Sequence, residues 1–163
     1  MADKPVKEEK LNQDIDASSI IREGGVLSRI FIEVQANDLE AAKKSLESAV
    51  FSKLKQEKES KILEIKIFDI LKDDAEDFFS GVSEIKLVSN DFRTFINMII
   101  RYGPSAIEII EPEEIVLKSD EMHSLVADIS EFTQMFSTQI MAMMKDPERR
   151  QLYQKIVSQE QPE

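Results

Sequence analysis

Four stretches in which apolar and polar residues alternate, interleaved with two of helical period, constrain this chain more than any other feature of its sequence. In residues 28–35, Ile30, Ile32 and Val34 fall on one side and Phe31 and Glu33 on the other, the period of a strand with one covered face. Leu39, Ala42, Leu46, Ala49, Val50 and Leu54 then recur at spacings of three and four, which predicts a helix over 38–57 with Asn37 as its cap and Glu40 reaching back to it. Residues 61–71 read as a second strand with Leu63, Ile65 and Ile67 on one face. Residues 82–89 form a third, with Ile85 and Leu87 inward and Glu84 and Lys86 outward. Asn90 or Asp91 opens a short helix bearing Phe92, Phe95, Ile96 and Ile99. Gly103 suits its left-handed cap and Pro104 prevents continuation. Residues 106–111 are the fourth strand, ended by Pro112.

Strand, helix, strand, strand, helix, strand is the order of a ferredoxin-like α+β sandwich, an antiparallel sheet in spatial order 4-1-3-2 with both helices on one face. Occupying residues 26–118, it would cover Ile30, Ile32, Val34, Leu63, Ile65, Ile67, Ile85, Leu87, Ile107 and Ile109. Phe31, Glu33, Glu64, Lys66, Phe68, Glu84, Lys86, Glu108 and Ile110 would lie on the open face. Residues 1–25 contain no aromatic and end in Gly24-Gly25, the composition of a flexible acidic tail; Ile15, Ile20 and Ile21 offer at most a short amphipathic segment.

A long helix over 119–144 follows. Ser119 caps it, and Asp120 and Glu121 favour its positive end. Met122, Leu125, Ile129, Phe132, Phe136, Ile140 and Met143 make its stripe, widened by Val126. It would span about 39 Å at 1.5 Å per residue, against about 23 Å for a seven-residue strand. The helix therefore outruns one small sheet. Asp146-Pro147 stops it, and residues 145–163 read as a short helix over 147–157 and a flexible tail.

The chemistry-bearing residues are few. The chain has no cysteine, and His123 is its only histidine, so a zinc site would need carboxylates that do not share its helical face. The acidic loop of Asp69, Asp73, Asp74, Glu76 and Asp77 fails as a calcium loop, because Phe78 stands where the sharp-turn glycine belongs. No glycine-lysine-serine/threonine phosphate loop and no G-x-S-x-G elbow is present. Glu64 with Lys66 and Glu84 with Lys86 read as charge pairing across strands. No catalytic residue, metal or cofactor is assigned. With 21 Lys and Arg against 32 Asp and Glu, the net charge of -11 argues against nucleic acid, whose binding depends on neutralising phosphates. No apolar run approaches the roughly 18 residues of a membrane span, and the start lacks the apolar core of a signal peptide. A cytoplasmic protein is expected.

Two resemblances bear on function. IFIEV (30–34) is similar to the first motif of RNA-recognition modules, but the third strand, SEIKLVSN, lacks the stacking aromatics and glycine that such a module needs. DFRTFINMIIRYGPSAIEIIEPEEI (91–115) resembles the end of the ferredoxin-like C-terminal extension of WYL-domain regulators. It matches through Arg101, Tyr102, Gly103, Pro104, Ile107, Ile109, Glu111 and Pro112. No WYL tripeptide and no DNA-binding helix-turn-helix accompany it, so the resemblance implies an architecture and a regulatory role but no ligand residues.

The sequence thus points to a non-enzymatic interaction or self-assembly module, a homodimer or a complex with another protein. Its expected contacts are Phe31, Phe68 and Ile110 on the sheet and Phe132, Met135, Phe136, Ile140, Met143 and Met144 on the helix, some of which could instead cover the sheet. A small-ligand-sensing regulatory domain is the alternative, with an enzyme using the open-face carboxylates behind it.

Overall fold

Asp38 lies two residues past the first long strand and starts the helix that covers it. Its carboxylate accepts hydrogen bonds from the backbone N–H groups of Glu40 (2.9 Å) and Ala41 (3.1 Å), satisfying donors that a helix start leaves unpaired. The cap is thus Asp38, one residue beyond the expected Asn37. The computed structural model describes residues 4–73 and 77–158, which divide into two compact units meeting between Val116 and Leu117.

The first unit runs β1 (Lys7–Lys10), α1 (Ala17–Arg22), β2 (Val26–Ala36), α2 (Leu39–Glu47), β3 (Ser60–Ile67), β4 (Leu71–Asp73), β5 (Phe78–Ser89), α3 (Phe92–Tyr102) and β6 (Ala106–Glu111). Its strands form one antiparallel sheet in the order β1-β3-β5-β2-β6, with the short β4 also paired to β5. The chain is therefore α+β, with four expected strands enlarged to six among the described residues.

Residues expected as a flexible tail supply β1 and α1. β1 is held to β3 by main-chain pairing, Lys7 opposite Ile67 and Lys10 opposite Glu64. The Lys7 ammonium lies 4.2 Å from the Phe51 ring centroid, a cation–π contact. Asp16 caps α1 through the Ser19 N–H at 3.1 Å. Gly25 permits α1 to lie close to the sheet, because a Cβ there would stand 2.5 Å from the Ile20 side chain and 2.6 Å from the Ser89 carbonyl oxygen. The expected second strand, 61–71, is instead two: β3 stops at Ile67 and β4 begins at Leu71.

One face of the sheet builds the core. Val26, Ile30 and Ile32 of β2, Ile62, Ile65 and Ile67 of β3, and Ile85 and Leu87 of β5 pack against Leu46, Val50, Leu54, Phe95 and Met98. Leu63, expected here, is displaced by a register shift between Ile62 and Glu64, a bulge that puts Ile62 inward in its place. Leu46, Val50 and Leu54 are each at most 1% exposed. At four-residue intervals they would drift about 40° per step around an ideal α-helix. The chain widens instead into a π-helical turn over Ser48–Lys53 and closes through Leu54–Gln56, which holds all three on one face. Leu39, at the head of the expected stripe, stays 41% exposed.

At α3, Asp91 accepts from the Thr94 N–H at 2.7 Å, and Gly103 closes the helix in the left-handed region at φ 54°, as expected of a C-terminal glycine. Ile107 and Ile109, expected beneath the helices, are 47% and 45% exposed. They belong to the edge strand β6, beside Ile30 and Ser28 of β2.

Four serines are buried with this core. The Ser60 and Ser89 hydroxyls are 2.7 Å apart, and Ser83 donates to the Lys66 carbonyl at 2.9 Å. The Ser28 hydroxyl is fully buried without a partner. A buried unsatisfied hydroxyl is destabilising, so Ser28→Ala should raise stability by about 1 kcal/mol. In urea titrations the midpoint should move up with the slope unchanged; a lower midpoint would show that the hydroxyl is satisfied.

Candidate interaction site

The open sheet face is a chain of alternating charge. Lys66 on β3 lies 2.9 Å from Glu64 and 3.3 Å from Glu84 on β5; Arg29 on β2 lies 3.1 Å from Glu84 and also pairs with Glu108 on β6. The hydrogen bond from Lys66 holds the Glu64 carboxyl below its ordinary pKa, and the bond to Glu64 raises Lys66 in turn. Such half-exposed pairs are worth at most about 1 kcal/mol each. Their functional consequence is that Lys66 and Arg29 each face the sheet's own carboxylates, which weakens their pull on phosphate.

Phe31, Phe68 and Ile110 are each half-buried, and the charge chain separates them. Phe31 pairs with Glu84 and Ala106. The Phe68 N–H bonds to the Val82 carbonyl beyond it. Ile110 lies by the register shift opposite Leu27 and Ser28, with Arg29 and Glu108 between it and Phe31. The expected sheet-face set does not form one patch.

A second feature of this unit is a cleft of about 410 Å³ lined by Ile32, Ala49, Lys53, Leu54, Arg101 and Tyr102. Arg101 and Tyr102 are already engaged there. Glu57, with a side chain only 7% exposed, accepts from the Tyr102 hydroxyl at 2.7 Å and from Arg101 at 2.8 Å. Burial alone would raise the Glu57 carboxyl. The hydrogen bonds from Tyr102 and from the Glu59 and Lys58 amides, with the Arg101 charge, outweigh it and hold the pKa below the ordinary value.

A carboxylate depressed on folding contributes stability that is complete above the unfolded pKa of about 4.3 and is lost as pH falls through the lower folded value. Glu57→Gln should therefore cost about 1–2 kcal/mol at neutral pH. Its stability should fall less steeply than the native protein's on acidification below about pH 4. Parallel acid limbs in thermal melts of the two proteins would contradict this role.

The second unit consists of α4 (Ser119–Met143) and α5 (Pro147–Val157). The N-cap of α4 is Lys118 rather than Ser119, and the Glu121 carboxylate accepts from the Lys118 N–H at 2.7 Å. Asp146 caps α5 through the Glu148 N–H at 2.9 Å, and Arg150 donates to the Met144 carbonyl at the end of α4. The Ser137 and Tyr153 hydroxyls lie 3.4 Å apart, and the Gln154 amide lies 3.6 Å from the Met141 sulfur. A cleft of about 490 Å³ between the two helices includes these side chains.

On another side of α4 the apolar stripe is left open by α5. Met122 is 46% exposed, Ile129 43%, Phe136 52% and Met143 73%, and no residue of the helix is fully buried. Phe132 and Ile140 are half-buried. The Phe132 and Phe136 rings stack at 6.0 Å between centroids, forming one aromatic ridge. Met135, also exposed, lies about 100° around the helix from Phe136 and so off the stripe. Met144 lies beyond the last turn. Exposed Leu152 and Ile156 on α5 were not expected as contacts; their i, i+4 spacing was the available signal.

A family model described as the MJ0538 family matches residues 28–158, which takes in β2 through α5. Among curated proteins, the uncharacterised protein MJ0538 of Methanocaldococcus jannaschii is similar at 29% identity over 95 residues. The match covers 58% of this chain and 35% of that protein, so it spans about a third of the relative's length. No solved structure matches the chain.

Proposed function

The chain belongs to the MJ0538 family, and from that premise we propose that it is a non-enzymatic assembly module whose α4 stripe binds a second copy of the chain. The observation that carries this reading is the ridge of Met122, Ile129, Phe136 and Met143, a line of large apolar side chains between 43% and 73% exposed. Uncovered ridges of this kind mark interaction sites in soluble proteins. The net charge of -11 opposes association except through an uncharged surface, and residues 132–144 carry no charge.

In this reading the first unit is a ferredoxin-like module extended by an edge strand. The order β2-α2-β3-β5-α3-β6 supports it. No helix among the described residues is long and apolar enough to cross a membrane, and we place the module in the cytoplasm. A ligand-sensing regulatory role would draw on the cleft beside Arg101 and Tyr102. We rank it second because Glu57 already engages both residues. Light scattering across a concentration series tests the assembly reading, which expects twice the chain mass.

A further inference from the structure

Resting on that assembly reading, we propose that the two α4 helices pair antiparallel, as a two-stranded coiled coil with Ile129 and Phe132 at its centre. Met122, Ile129, Phe136 and Met143 follow one another at intervals of seven, and Leu125, Phe132 and Gln139 hold the complementary positions. A seven-residue repeat kept over three turns of the pattern is the requirement for a seam that stays facing a partner helix. The a-type positions are the exposed ones, whereas α5 is engaged by Ser137 and Met141 on another side.

Charge sets the direction. Asp120, Glu121, Asp128 and Glu131 all lie in the first half of α4, residues 132–144 are uncharged, and no Lys or Arg lies within the helix. A parallel pair would bring eight carboxylates to one end and align the two helix dipoles, both unfavourable. An antiparallel pair lays each acidic half along the neutral half of the second copy and brings Asp120 and Glu121 toward its Lys145.

Register follows from the polar residue in the seam. Setting Ile129 against Phe132 of the second copy places Leu125 against its Phe136 and Met122 against its Gln139. The amide then lies in the outermost layer, where water can reach it. Sliding by one heptad would set Gln139 against Ile129, inside the seam, where an unpaired amide is costly.

The chain has no cysteine, so introduced thiols report without background. Disulfide formation requires Cα atoms within about 7 Å, whereas positions 122 and 139 of one helix are about 25 Å apart along its axis. Oxidised full-length Met122→Cys/Gln139→Cys should run as a covalent dimer on a non-reducing gel, while Met122→Cys alone should stay monomeric. Cross-linking by Met122→Cys alone would show a parallel pair, overturning the antiparallel inference while leaving self-association standing. No cross-link in either variant of a protein that scatters as a dimer would also overturn the pairing. A protein that scatters as a monomer throughout would remove both this inference and the assembly reading.

Discussion

Replacing Ile85 by Asp should leave the first unit without a folded sheet at neutral pH. Ile85 is fully buried at the middle of β5, opposite Ile30 on one side and Ile65 on the other. The substitution removes apolar burial worth about 1.5–3 kcal/mol and sets a carboxylate where no cation or donor is available. The carboxylate must be desolvated or protonated, and either adds several kcal/mol. Together these are comparable with the about 5–15 kcal/mol that stabilises a typical domain. Circular dichroism should show the loss of β signal. Ile107→Asp is the informative control. It lies on the same face, in register with Ile30, but is 47% exposed on the edge strand, so it should fold with a nearly native Tm. A native-like melt for Ile85→Asp would contradict the strand phase on which the core description depends.

The second large effect concerns association. Phe136→Glu combined with Ile140→Glu should convert the dimer to monomer while most of the β signal persists. If each side chain acts as an interface anchor worth about 2 kcal/mol, the four lost across a symmetric dimer weaken it by about a millionfold. Two further acids per copy on a chain of net charge -11 work in the same direction. Neither position is in the core of the first unit, so loss of the sheet in this variant would mean that the stripe is needed for folding rather than for assembly.

Much of the central architecture was legible because it rests on side-chain periodicity. The inward set Ile30, Ile32, Ile65, Ile67, Ile85 and Leu87 follows from alternation, and Gly103 marks the end of α3 through its backbone freedom. What escaped was decided by the main chain or by position in the sheet. β1 is the tetrapeptide Lys7-Glu8-Glu9-Lys10, with no apolar residue to alternate; backbone pairing to β3 holds it. Its charges also suit an edge, where they discourage sheet-to-sheet pairing. Ile107 and Ile109 alternate as well as any inner strand, and the expected order already put β6 at the edge; what alternation does not register is that side chains there stay half exposed. The bulge that exchanges Leu63 for Ile62, and the π turn that aligns Val50 and Leu54, are likewise backbone adjustments.

The candidate site divides in the same way. The α4 stripe was readable from spacing alone, because a helix of 25 residues repeats its pattern often enough to define a face. The sheet-face set of Phe31, Phe68 and Ile110 follows from strand phase, which says nothing of what stands between strands. The ion pairs of Arg29 with Glu84 and Glu108 divide that face.

The central claim, that the exposed stripe of α4 joins two copies, is tested most directly by the mass of the native chain in solution across a concentration series. Light scattering should give twice the monomer mass of 18.7 kDa at high concentration, falling toward one copy on dilution. A mass that stays at one copy at every concentration would contradict it.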